Sequence, residues 1–71
     1  MKNNIRVERA IARMTQQQLA EQVGVSRQTI VAIEAGKYVP STVLALKIAH
    51  IFGRSFDDVF QLEEEEWNNE K

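Results

Sequence analysis

TQQQLAEQVGVSRQTIVAIEAG, residues Thr15–Gly36, is the stretch of this 71-residue chain whose spacing decides its fold. Thr15 stands where a helix N-cap would, and Gln18, three residues on, completes a capping box in which each side chain satisfies the other residue's backbone amide. The helix it opens runs to about Val23 and stops at Gly24, suited to the left-handed conformation that ends helices. Ser26 caps the next helix, which ends before Gly36. Only Gly24-Val25-Ser26 separates the two, and so short a connection forces a steep crossing rather than an antiparallel pair. Ala20 falls on the inner side, where a small side chain allows close approach. Leu19, Val23, Val25, Ile30 and Ile33 supply the apolar contact.

The second of these helices divides into two faces. Ile30, Ile33 and Glu34 point inward, and Arg27, Gln28, Val31, Ala32 and Ala35 form the opposite stripe by i, i+3, i+4 counting. Read blandly, Arg27 and Gln28 are solvated first-turn residues. The stripe also has the composition of a helix that sits in the DNA major groove. Arginine bonds guanine bidentately, glutamine bonds adenine, and Val31 and Ala32 lie against thymine methyls. The helix N-terminus would aim its dipole and unpaired amides at phosphates.

Working outward, Val7, Ala10, Ile11 and Met14 fall on one face of an amphipathic helix, expected to pack on the core. Lys37-Tyr38-Val39-Pro40 is a loop, because the proline disfavours helix at Val39. Ser41 caps a fourth helix, STVLALKIAHIF, which Gly53 closes, and Ser55 with Asp58 reads as a capping box for a short fifth helix around Phe56–Phe60. No internal repeat interrupts this order. The expected fold is all-α: five helices in one domain over residues 1–62, followed by an acidic tail, residues 63–71. Four adjacent glutamates repel one another, so the tail is expected to be frayed.

Composition narrows the function classes. A chain this short builds one marginal core, which needs regular helix packing, staples or a partner subunit. There is no cysteine, and the one histidine, His50, has no second histidine with which to share a metal. No cofactor loop, nucleophile–base set or effector pocket is legible, so neither an enzyme, a cofactor nor a small-molecule ligand is expected. No apolar stretch reaches membrane-spanning length and no signal peptide is visible, which leaves a cytoplasmic protein as the expectation. The formal charge of −1 splits by position. Residues 1–62 carry eight Lys/Arg against five Asp/Glu, and residues 63–71 five Glu against one Lys. A mildly basic domain with an acidic tail permits nucleic acid as a partner without demanding it.

TQQQLA, GVSRQTI, IEAGKYVPS and LALKIA followed by FG together resemble the lambda-repressor/Cro-type helix-turn-helix family, in particular its very small prokaryotic transcriptional regulators. The resemblance covers roughly residues 5–60 and tips Arg27 and Gln28 from solvated residues to base contacts. It implies that Arg27, Gln28, Val31 and Ala32 face the bases of double-stranded DNA. Ala32 stands where many relatives have a longer polar side chain, which leaves it a methyl contact. Gln16 matches a glutamine that touches phosphate and braces the first base-reading residue. Thr29 matches a flanking contact, Ser26 lies at the same helix terminus, and Lys37 and Tyr38 match the loop that approaches the backbone. Arg9 and Glu34 match a partly buried ion pair, and the inward position of Glu34 independently requires a partner. Some small regulators of this type also pair their terminal segments as a short β-ribbon, a role open to KNNIRV and FQLEEE here.

The fourth helix is apolar almost all round, more than one small core covers. Leu46, His50 and Ile51, with Phe56, Val59 and Phe60, are therefore the expected dimer surface; the alternative is that the fifth helix covers them within one chain. Two copies one helical turn apart, about 34 Å, would read a palindrome. The resulting expectation is a homodimeric regulator, a repressor that excludes polymerase from an operator. A second reading, from another class, is an antitoxin or protein-interaction module that binds DNA secondarily. Trp67 is left to pack on its own domain or across the dimer.

Overall fold

Thr15, Ser26, Ser41 and Ser55 each accept a hydrogen bond from the backbone amide three residues on, so each opens a helix as the sequence predicts. The computed structural model describes residues 1–68. Its elements are β1 (Lys2–Asn3), α1 (Ile5–Ala12), α2 (Gln16–Val23), α3 (Arg27–Glu34), α4 (Thr42–Ile51), α5 (Phe56–Val59), β2 (Phe60–Gln61) and α6 (Glu64–Trp67). The Thr15–Gln18 box closes in both directions, at 3.0 and 2.8 Å. At Ser55 only the serine half forms, because Asp58 lacks the methylene with which Glu or Gln reaches back. Gly24 has φ 77° and its amide bonds the Ala20 carbonyl, so the left-handed stop of α2 is where it was expected.

The core is made by α2 packing on α3 and α4, with α1 and α5 completing it. Ile5, Leu19, Ile30, Ile33, Ile48 and Val59 are fully buried. β1 and β2 pair antiparallel, Lys2 opposite Gln61 and Asn3 opposite Phe60, so the terminal ribbon exists. It draws the N-terminus onto the last helices: the Asn4 amide bonds the Val59 carbonyl at 2.8 Å, and the Asn4 side chain bonds the Asp58 carbonyl at 3.0 Å.

Three expectations are overturned. The face of α1 that packs inward is not Val7–Ala10–Ile11; Val7 and Ile11 are 56 and 62 % exposed. Ile5 and Glu8 are buried instead. Ile5 enters the core on this side. There too Glu8 accepts from Arg54 Nε at 3.1 Å and Arg9 reaches Glu34. Val59 and Phe60 are 0 and 3 % exposed and belong to the core, so they are withdrawn from the dimer surface. Both belong to the single core cluster, and Phe60 is also the β2 residue opposite Asn3.

The tail, expected to fray, folds one further turn. In α6 the glutamates are ordered by a reciprocal Glu63–Glu66 cap and by the N-terminal ammonium of Met1, 2.9 Å from Glu66 and 3.8 Å from Glu63. A cation thus offsets part of the repulsion that argued for disorder. The rest of the expected tail, residues 69–71, lies outside the described residues.

Candidate nucleic-acid interface

The presumed reading face is built on α3 because that helix is anchored from its other side. Ile30 and Ile33 are buried in the core, and Glu34, its side chain 5 % exposed, ties α3 to both preceding helices. Arg9 Nε donates to Glu34 Oε2 at 2.6 Å and Arg9 Nη2 to Glu34 Oε1 at 3.1 Å, a fork-on-carboxylate geometry. Arg9 Nη1 also donates to the Met14 carbonyl, fixing the exit of α1. Gln16 Nε2 adds a third donor to the same carboxylate at 3.2 Å. Three donors on a nearly dry carboxylate offset its desolvation, so the network specifies one orientation of α3.

With that side committed, the opposite side of α3 is presented outward. Arg27, Gln28 and Val31 are exposed and Ala32 is half-buried, which brings the four onto one surface. None of the ion pairs among the described residues engages Arg27 or Lys37. Ser26 and Thr29 close the helix N-terminus: Ser26 Oγ accepts from the Thr29 amide at 3.2 Å and lies 3.0 Å from Thr29 Oγ1. The Ser26 hydroxyl therefore caps the helix, and the Thr29 hydroxyl pairs with it. Lys37 and Tyr38 are exposed on the loop after α3. Gln16 stands at the start of α2 with one N–H of its amide held by Glu34, so the remaining N–H is what it has to donate to a phosphate.

Two positioning contacts have no counterpart in the sequence reading. Asn3 Nδ2 donates to the Ile33 carbonyl at 2.9 Å, so the terminal ribbon caps the end of α3. The Glu8–Arg54 pair ties α1 to the turn after α4. Neither has a sequence signal, since both join residues 30 or more apart through single polar side chains. Among the described residues no cluster of metal-ligating side chains occurs, and no helix is long and apolar enough to cross a membrane.

Two helices joined through Gly24–Ser26, the second anchored inward and exposing an arginine-led polar-to-apolar stripe, define a helix-turn-helix protein. The chain belongs to the helix-turn-helix family of the lambda-repressor/Cro type, whose model matches residues 5–59. It is 53 % identical over 66 residues to an uncharacterized HTH-type transcriptional regulator of Methanocaldococcus jannaschii, an alignment covering 93 % of this chain and all of that one. It is 54 % identical to the uncharacterized HTH-type transcriptional regulator YgzD of Bacillus subtilis, over 92 % of this chain and 98 % of that one. Among solved structures, the clp gene regulator ClgR from Corynebacterium glutamicum superposes with a TM-score of 0.72 at 31 % identity. That match covers 76 % of this chain, which spans 57 % of ClgR.

Proposed function

We propose that this protein is a sequence-specific DNA-binding transcriptional regulator, a repressor that occupies a palindromic operator as a homodimer in the cytoplasm. The observation that carries the reading is the two-sided state of α3. Its inner side is held by Glu34, and its outer side leaves Arg27, Gln28, Val31 and Ala32 available to base edges. In this reading Gln16, Thr29, Lys37 and Tyr38 set the backbone register, with Ser26, the N-cap of α3, beside them at the helix N-terminus that faces a phosphate. The similarity to HTH-type transcriptional regulators over nearly the whole chain supports it. A single helix reads too few base pairs for specificity, and a two-fold pair supplies the rest. Leu46, His50, Ile51 and Phe56, exposed or half-buried, remain as its candidate surface.

Selection of bound sequences from a random duplex library tests the reading in one experiment. A palindromic consensus with half-sites about one helical turn apart is expected. Enrichment of no sequence would overturn sequence-specific binding, and enrichment of a single half-site would overturn the homodimer. The second reading, an antitoxin-like interaction module, draws on the exposure of Val43 and Leu46. It requires a stoichiometric protein partner that co-purifies from the native host and protects that face.

A further inference from the structure

Two apolar patches of opposite charge stand uncovered on the described surface. One is the outer face of α4, where Val43 and Leu46 are 64 and 51 % exposed and Lys47 and His50 complete the helical stripe. The other is the terminal turn, where Trp67 and Leu62 are 67 and 43 % exposed beside exposed Glu64 and Glu65. The turn is a fixed feature rather than a loose end. Glu63 and Glu66 are held by the Met1 ammonium, and Glu66 closes back on the Glu63 amide at 2.8 Å. Trp67 also borders an apolar groove of about 570 Å³ with Met1, Phe56, Phe60 and Leu62, and still leaves most of its surface outside.

We propose that in the homodimer the terminal turn of each copy seats on the outer face of α4 of the other. Trp67 and Leu62 meet Val43 and Leu46, and Glu64 and Glu65 face Lys47 and His50. This rests on the homodimer proposed above and assigns its interface. Charge complementarity favours this occupant: none of the ion pairs among the described residues uses Glu64, Glu65 or Lys47. A two-fold contact uses both patches of both copies, so each uncovered face finds the other twice. Such a contact also requires the two patches to lie near one axis. α4 packs on α5, which leads directly into β2 and the terminal turn. The exposed Val7–Ile11 face of α1, flanked by Arg6, is the rival seat for an acidic turn, and substitution at Ile11 separates the two.

The chain's single tryptophan reports the contact directly. The full chain is diluted without DNA, with sedimentation equilibrium and Trp67 emission followed in parallel, and circular dichroism confirms that each variant is folded. The expected result is a blue-shifted, quencher-protected Trp67 in the dimer that turns solvent-like as monomer forms. Leu46→Glu should weaken the dimer at least tenfold and Ile11→Glu should leave it unchanged. Lys47→Glu should weaken it about tenfold, and adding Glu64→Lys with Glu65→Lys should restore it, a rescue that does not depend on Leu46→Glu folding. A dimer whose Trp67 emission equals the monomer's overturns this interface and leaves the homodimer standing. A chain that stays monomeric at every concentration, free and on DNA, overturns both. Loss of the dimer in Ile11→Glu alone moves the seat to α1 and overturns the assignment.

Discussion

Glu34 is the side chain on which the presumed reading face depends, because it holds α3 to Arg9 and Gln16 while being 5 % exposed itself. Removing one partner of a buried pair strands the other, at a cost of about 3 kcal/mol or more. Glu34→Ala is therefore expected to lower the thermal midpoint by more than about 10 °C in a domain of this size. A melt that overlays the parent's would show that the network contributes nothing. Substitutions at Arg27 and Lys37 test the two kinds of DNA contact proposed above. Arg27→Ala should cost about 1–3 kcal/mol on the selected site and relax preference at one base pair. Lys37→Ala should weaken every sequence alike and reduce the salt slope by about one unit. Equal losses for both mutants on selected and random DNA would remove α3 as the reading helix. The pattern that marked these residues is local, which is why it was visible in the chain: a capped helix start followed by long polar and then small residues. The third donor to Glu34 was not legible, because Gln16 was read as touching phosphate and bracing the first base-reading residue, and its bond to a carboxylate 18 residues away is tertiary.

At the scale of elements, caps and stops account for where each helix begins and ends. Thr15→Ala removes a reciprocal box and should cost about 1 kcal/mol. Gly24→Ala isolates backbone strain: φ is 77° and nothing lies within 4 Å of where the new methyl would sit, so no clash contributes. The expected loss is again about 1 kcal/mol. Denaturant titration checks both, with a lowered midpoint at unchanged slope. A Gly24→Ala midpoint at or above the parent's would contradict the left-handed stop. The rotation of α1 was misread at this same scale. Hydrophobic periodicity placed Val7 and Ile11 inward, yet the side of α1 that packs on the domain carries Ile5, Glu8 and Arg9. Arg54 and Glu34 lie on the far side of the chain in sequence and on the near side in space.

At the scale of the molecule, the two ends are clasped. The Glu66 carboxylate is held below its ordinary value of 4.5 by the Glu63 backbone amide and then by the Met1 ammonium. The ammonium is raised above 8.0 chiefly by its hydrogen bond to Glu66. A depressed acid contributes above its ordinary pKa and is lost as pH falls through the folded value; a raised amine contributes below its ordinary pKa and is lost as pH rises through the folded value. The clasp should therefore contribute fully between pH 4.5 and 8.0, and open only as pH falls through the lowered Glu66 value or rises through the raised ammonium value. Trp67 fluorescence should be flat across that window and change beyond both ends, and Glu66→Gln should abolish the acid-side change. A profile equally flat from pH 3 to 10 would remove the clasp from solution.

What the sequence alone determined is what short-range chemistry controls. Four hydroxyl caps, the glycine that stops α2, the three-residue turn and the order of residues along α3 act within a few positions of one another, so the helix-turn-helix was legible without coordinates. Tertiary structure decided which way α1 faces, that Val59 and Phe60 lie inside, and that the glutamate run folds as α6. Each of these depends on a partner far along the chain: Arg54 for Glu8, the β1 strand for Phe60, the Met1 ammonium for Glu66. Charge and hydrogen-bond pairing at long separation leaves no period in a sequence, so only the folded chain brings these partners together.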